Sequence, residues 1–214
     1  LLFGGATLHS YLGIGLGTGS VESMYKKLCS RPHLRNRWRD MEVLIIDEIS
    51  MLSPVLFDKL EALARRVRRN EEPFGGIQLI LSGDFLQLPC VNSDNFCFES
   101  DSWSKCVTNI IYLTEIMRQR DVEWQECLNN VRVGLLPKKT RKLLKSRVNQ
   151  ELSNEYGIKP TKLFSTNYSV DYVNNKELDA LAVNDLDFYE YSMEIRLHPG
   201  VKNRDYVIEK YKKS

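Results

Sequence analysis

Two adjacent carboxylates, Asp47 and Glu48, follow directly on the aliphatic run Val43-Leu44-Ile45-Ile46 and precede Ile49-Ser50. An acid at the end of an apolar strand can hold Mg²⁺, directly or through water, while a neighbouring acid orients or deprotonates a water molecule. Hydrolytic phosphoryl transfer uses that pair of roles. A core strand whose end is acidic has the same local pattern, so this octapeptide alone leaves both readings open. A second polar set follows another apolar run, Ile77–Leu81: Ser82-Gly83-Asp84-Phe85-Leu86-Gln87-Leu88-Pro89 puts a carboxylate and an amide beside a strand end. A third set, Thr7, His9 and Ser10, lies in the stretch Gly4–Gly19, which contains six glycines. Glycine lets a backbone approach a ligand closely, as phosphate loops require. Yet no Gly-Lys-Ser or Gly-Lys-Thr occurs anywhere in the 214 residues, so the triphosphate-binding loop is not among them. By themselves, Thr7, His9 and Ser10 fit a helix start with one incidental histidine better than a ligand site.

The elements that must position these groups can be read from periodicity. The run 43–46 lacks polar alternation, which predicts a parallel strand covered on both faces. Ser53 and Pro54 form a helix start, and Leu56, Leu60, Leu63 and Val67, widened by Phe57 and Ala64, form an apolar stripe behind it. Strand, helix and strand with polar residues at both strand ends make a βαβ unit that presents a site. Arg65, Arg66, Arg68 and Arg69 crowd the helix end, where positive charge suits the dipole and can also meet phosphate. Ser20 caps a helix to Ser30. The basic stretch Arg31–Arg39 with Trp38 fits a nucleic-acid surface or, more commonly, a solvated connector. Asn109–Leu113 reads as a strand, and Val122–Val133 as a helix with Trp124, Cys127, Leu128 and Val131 inward. The basic run Pro137–Arg147 reads as a helix whose face is more commonly solvated than in contact with nucleic acid. Lys162–Ser165 reads as a strand, Val170–Leu181 as a helix, Phe188–Leu197 as a strand and Asp205–Lys213 as a short helical tail.

Composition bounds the class. The chain is 43% hydrophobic and 27% charged, with a formal charge of +2, as in an ordinary globular protein. No apolar run approaches the roughly 18 residues that span a membrane, and no targeting segment is visible, so no membrane partner is expected. The five cysteines, Cys29, Cys90, Cys97, Cys106 and Cys127, form no Cys-x-x-Cys pair and accompany three histidines. Reduced structural thiols in a protein that is not secreted are expected, rather than disulfides or zinc.

Taken together, Gly5-Ala6-Thr7-Leu8-His9-Ser10 with Gly13-Ile14-Gly15, then Ile46-Asp47-Glu48-Ile49-Ser50-Met51-Leu52, Phe74-Gly75-Gly76-Ile77-Gln78-Leu79 and Gly83-Asp84-Phe85-Leu86-Gln87-Leu88-Pro89 resemble the Pif family of DNA helicases, superfamily-one translocases of the RecD-like branch. Asp58–Arg65 is similar to the family signature. Leu113–Gln119 is similar to the motif bearing an arginine finger, with Met117 where the family usually has an aromatic residue. Thr166-Asn167, Val170 and Asn174 resemble the opening of the second RecA-like domain. The resemblance implies α/β, RecA-like P-loop NTPase domains with mostly parallel sheets flanked by helices. It places part of domain 1A at residues 1–120, a helical connector at 121–160 and the start of domain 2A at 161–214. It also implies a triphosphate loop before Leu1 and further motifs after Ser214, so a central helicase fragment with both domains incomplete is expected.

By the same resemblance, Asp47 holds Mg²⁺, Glu48 activates water, Gln87 senses the γ-phosphate of ATP and Arg118 neutralises developing charge. Thr7, His9 and Ser10 contact single-stranded DNA from domain 1A, and Thr166 and Asn167 grip it from domain 2A. The implied activity is ATP-dependent 5′ to 3′ translocation and unwinding of forked duplex DNA by a monomer. Roles in DNA repair, recombination and telomere maintenance are implied, in a nucleus or mitochondrion if eukaryotic and otherwise in the cytoplasm. The alternatives are a catalytically dead nucleic-acid-binding remnant and a protein-remodelling ATPase; the Gly5–Gly15 tract and signature-like helix argue against the latter.

Expressed as residues 1–214, the chain is expected to hydrolyse no ATP above background, because no loop cradles the phosphates with backbone N–H groups and a lysine. Phosphate release from monodisperse protein, with and without oligonucleotide, checks this. Robust DNA-stimulated turnover would mean that another lysine and loop supply the missing function.

Overall fold

The computed structural model of the chain describes residues 5–150 and 161–182, with the single positions 195, 197 and 208. The chain divides into two compact units, residues 1–150 and 151–214. In the first, α1 (Leu8–Leu12), α2 (Val21–Cys29) and α3 (Pro32–Asp40) lead to β1 (Val43–Ile46). Then come α4 (Pro54–Arg68), β2 (Gln78–Leu81), α5 (Trp103–Cys106), α6 (Val122–Arg132) and α7 (Lys138–Ser146). β1 and β2 pair in parallel, Val43 opposite Gln78 and Ile46 opposite Leu81, and α4 forms the crossover between them.

Local chemistry sets the helix boundaries. Ser20 Oγ accepts the Ser23 N–H at 3.2 Å and starts α2. Ser53 Oγ accepts the Leu56 N–H at 3.2 Å, and Pro54 opens α4 where no backbone donor is needed. The α4 stripe Phe57, Leu60, Leu63, Ala64 and Val67 is at most 2% exposed and meets Leu12, Met24, Leu28, Trp38, Leu44, Ile46 and Phe74 in one core. Phe57 packs its ring 5.4 Å from those of Phe74 and Trp103. Arg68 closes the far end. Its Nε donates to Gly75 O at 2.6 Å, and its Nη1 donates to the carbonyls of Trp38, Arg39 and Met41 at 2.7–2.9 Å. Gly75 takes φ 64°, and a Cβ there would sit 2.8 Å from Ala64 O, so the approach requires glycine.

Several expectations are corrected. The stretch Arg31–Arg39 forms α3 rather than a connector: Pro32 opens it, Leu34 and Trp38 are buried four residues apart, and Trp38 Nε1 donates to Leu12 O at 2.9 Å. β1 is covered on one face rather than two. Leu44 and Ile46 are buried, while Val43 and Ile45 are 44% and 66% exposed. Asn109–Leu113 and Lys162–Ser165 form no strand. A strand exists through hydrogen bonds to a neighbour, and β1 with β2 is the one ladder among the described residues. On α6, Cys127 is buried and Trp124 and Leu128 are half-buried, but Val131 is exposed rather than inward.

The basic run 138–146 is helical, as expected. α6 and α7, the helices of the expected connector, lie in the first unit. In the second unit, α8 spans Asn167–Ala182. The expected tail helix over 205–213 and the strand over 188–197 fall outside the described residues, apart from positions 195, 197 and 208.

All five cysteines are free. Burial pushes the thiols of Cys97 and Cys106 up to about 12 and about 11, as expected of inert structural thiols. No helix among the described residues is long and apolar enough to cross a membrane.

Phe57→Ala is expected to destabilise the first unit by about 3–5 kcal/mol through the cavity it leaves, whereas Val55→Ala, on the exposed face of α4, should stay within about 0.5 kcal/mol. Urea midpoints of the two variants check the assignment of α4's buried face.

Candidate active site

The parallel ladder continues past both strand ends and brings two loops together. Ser82 N–H donates to Ile46 O at 2.9 Å, and Ile49 N–H donates to Ser82 O at 2.9 Å. Gly83 therefore lies against the Glu48–Ile49 backbone, where a Cβ would meet Ile49 N at 2.8 Å. Between these bonds Glu48 adopts φ 54° and ψ 47°. This left-handed geometry costs a non-glycine residue about 1–3 kcal/mol and persists only where surroundings enforce it. Asp47 contributes by accepting the Glu48 N–H on Oδ1 at 3.0 Å, and a 3₁₀ turn over Ile49–Met51 follows. Both carboxylates face solvent.

Gln87 is set by the loop after β2. Asp84 accepts the Leu86 N–H at 3.0 Å and the Gln87 side-chain amide at 3.4 Å, while its carbonyl accepts the Gln87 N–H at 3.0 Å. From α6, Arg132 grips the Asp84 carboxylate with two bonds of 2.7 and 2.8 Å. This fork, with the Leu86 N–H and the Gln87 amide, outweighs burial and holds the Asp84 carboxyl down at about 2. The two loops enclose a cleft of about 610 Å³ lined by Glu48, Ser50, Met51, Leu86, Gln87 and Leu88. Ser50 is 2% exposed, and its Oγ has no hydrogen-bond partner.

Another cavity, of about 380 Å³ between α4 and α5, is lined by Asp58, Glu61, Arg65, Asp101 and Ser102 among others. It is a structural seam. Asp58 accepts the Asp101 and Ser102 N–H groups and the Ser102 hydroxyl, and Glu61 pairs with Arg65 at 2.8 Å.

Asp47 and Glu48 follow β1 and Gln87 follows β2, so the three lie at the same end of the parallel ladder. Arg118 makes no bond to them among the described residues; it stands exposed on the irregular segment before α6. Gln125 of α6 brackets it, donating from Nε2 to Ile116 O at 3.4 Å and Gln119 O at 2.5 Å. Gln125 and Arg132, two turns apart on α6, were not identified as site residues from the sequence. Arg132 meets a carboxylate 48 residues away and Gln125 bonds backbone carbonyls of the segment before α6, so no side-chain pattern in the sequence marks either.

Thr7, His9 and Ser10 are exposed at the start of α1. The helix is steadied by Arg37 Nη1 donating to Tyr11 O at 2.5 Å and by a left-handed Gly13 at its end. In the second unit, Thr166 Oγ1 bonds Ser169 Oγ at 3.0 Å at the start of α8, beside the exposed Asn167.

A hard cation fits Asp47 in chemistry: its oxygen donors are of the kind that Mg²⁺ prefers. Among the described residues no three His, Cys, Asp or Glu side chains form a metal cluster. An exposed carboxylate such as Asp47 is the kind of ligand that Mg²⁺ takes alongside waters.

Comparison with known proteins gives a consistent result. The family model for PIF1-like helicases matches residues 1–141. The ATP-dependent DNA helicase RRM3 of Saccharomyces cerevisiae is 43% identical over 194 residues, covering 88% of this chain and 26% of that protein. The crystal structure of a Pif1 helicase from Candida albicans superposes with a TM-score of 0.79 at 42% identity, covering 86% of this chain and 41% of the other. That of a Bacteroides Pif1 helicase, in complex with ADP-AlF3 and ssDNA, gives a TM-score of 0.66 at 29% identity, with 82% and 44% covered. The chain spans 21–40% of the length of several curated relatives it matches.

The depressed Asp84 pKa sets a pH dependence. Its stabilising contribution is complete above the unfolded carboxylate value of about 4 and is lost as pH falls through about 2. Because Arg132 is half exposed, screening holds the effect to about 1 kcal/mol. Arg132→Ala should remove most of this acid-side loss, leaving the smaller part due to the Leu86 N–H and the Gln87 amide, as measured by denaturant midpoints between pH 4 and 2. A parallel pH dependence in both proteins would remove Arg132 from control of the loop.

Proposed function

Because the chain belongs to the PIF1-like helicase family and has the family's RecA-like α/β fold, we propose that it is part of an ATP-dependent DNA helicase that moves 5′ to 3′ on single-stranded DNA and opens forked duplexes. The observation that carries this reading is the shared cleft of Glu48 and Gln87 beside Asp47, built by two parallel strand ends. In-line phosphoryl transfer needs positioning and charge more than covalent help. Asp47 would hold Mg²⁺, which when bound neutralises phosphate charge. The carboxylate of Glu48 takes the proton of the attacking water. Gln87, its amide held by Asp84, donates to the terminal phosphate, and Arg118 meets the charge that develops there. Thr7, His9 and Ser10 contact the sugar-phosphate backbone, which carries no base information. Thr166 and Asn167 hold the same strand from a second RecA-like domain beginning near residue 161, and nucleotide-driven closure moves it. The enzyme acts as a single copy in DNA repair, recombination and telomere maintenance, in the nucleus or mitochondrion if its source is eukaryotic and otherwise in the cytoplasm.

The test uses the full-length helicase. Glu48→Gln should abolish DNA-stimulated hydrolysis while nucleotide binding persists, because the amide keeps the shape and loses the base. Arg118→Ala should slow turnover on the order of a thousandfold or more. Unchanged turnover in Glu48→Gln, or a loss below about tenfold in Arg118→Ala, would reassign that residue to structure.

A further inference from the structure

The end of the sheet opposite the acidic pair is strongly basic, and the nucleotide site uses none of it. Arg31, Arg35 and Arg39 recur every fourth residue along one flank of α3, while Leu34 and Trp38 turn into the core. Arg39 then joins Arg68, Arg69 and Asn70 around a cleft of about 430 Å³. The four residues of β1, roughly 13 Å of strand, separate this end from Asp47.

What distinguishes these arginines is that they cluster at one end of the sheet without a carboxylate among them. Arg65, Arg66 and Arg132 each meet a carboxylate. Among the described residues no ion pair involves Arg31, Arg35, Arg39 or Arg69. The Arg35 Nε is buried without a partner, and the bond from Arg39 Nε to Val67 O is long at 3.4 Å. Asp40 and Glu42 lie beside the stripe in sequence but pair with none of it, while Glu71 is taken by Arg65. Arg69 ends α4 at φ 55° and is exposed at the cleft.

We propose that Arg31, Arg35, Arg39 and Arg69 form a second track for the phosphodiester backbone of a nucleic acid, separate from Thr7, His9 and Ser10. Four-residue steps on a helix are about 6 Å apart, comparable to the separation of neighbouring phosphates along a strand. The guanidinium fork matches phosphate oxygens. Because Trp38 is buried, the stripe offers bases no large ring to stack on, so the track reads backbone and charge without sequence. Arg68, spent on four carbonyls, supplies charge from behind. The proposal shares with the helicase reading only the class of partner and needs no nucleotide.

The test measures binding of labelled single-stranded oligonucleotides against salt, by anisotropy, on the 214-residue chain. The triple variant Arg35→Ala, Arg39→Ala, Arg69→Ala should lower the slope of log K against log salt by roughly two, at about 0.7 per phosphate contact. The corresponding triple lysine variant should keep the parental slope. An unchanged slope in the alanine variant, or an equal loss in the lysine variant, overturns the track. If the alanine triple variant fails to melt cooperatively, Arg69→Ala alone should lower the slope by about 0.7, and no change there is equally fatal. In a Thr7→Ala, His9→Ala background, residual binding should remain and depend on the arginines. Its complete absence would leave the first track standing and remove the second. Equally tight, equally arginine-dependent binding of polyglutamate would reassign the stripe to an acidic protein.

Discussion

The site depends on the parallel pairing of β1 with β2 and on its continuation beyond the last regular residues. Leu44 and Ile46 must face the core, which fixes the register of β1, since a slip of one residue would turn Val43 and Ile45 inward. With the register fixed, the bonds linking Ile46, Ser82 and Ile49 place the loop after β2 against the residues that follow β1. Gly83 has no side chain to hold that contact apart. The proximity of Glu48 and Gln87 is therefore a consequence of backbone hydrogen bonding and one apolar face. Neither side chain touches the other to secure it.

α6 supplies a second level of control. Gln125 and Arg132 are two turns apart and so share a face; one ties down the segment that carries Arg118, and the other grips Asp84, which in turn orients Gln87. Two groups proposed to act on the same phosphate are thus anchored to one helix. A shift of α6 would carry both together, whereas the acidic pair is anchored to the sheet. Charge-assisted bonds suit such a link because the fork fixes orientation as well as distance.

What was legible in the sequence was what depends on near neighbours. The caps Ser20 and Ser53, the stripe of α4 and the apolar runs that became β1 and β2 depend on residues within a turn or a strand, and each formed where the pattern placed it. Asp47, Glu48 and Gln87 could be singled out because strand ends concentrate ligand chemistry, and their motifs matched a family. α3 was hidden because four arginines around two buried residues read as solvated, although Leu34 and Trp38 are correctly spaced. Asn109–Leu113 carried β propensity, but propensity does not supply a partner strand. The Asp84–Arg132 pair joins residues 48 apart, a separation that no local rule reaches.

The strain at Glu48 shows where stability and chemistry diverge. Glycine would adopt φ 54° without penalty, so folding alone would favour it at this position. A carboxylate is present instead, held left-handed between the Asp47 side chain and the Ile49–Met51 turn. The surrounding bonds can sustain that cost because the ladder, the Gly83 contact and the buried Ile49 fix the backbone on either side. The rigidity of the strand ends and the strain of the acid are therefore linked. The more firmly the ladder continues past Ile46, the more completely it holds an unfavourable backbone that presents Glu48 to the cleft shared with Gln87.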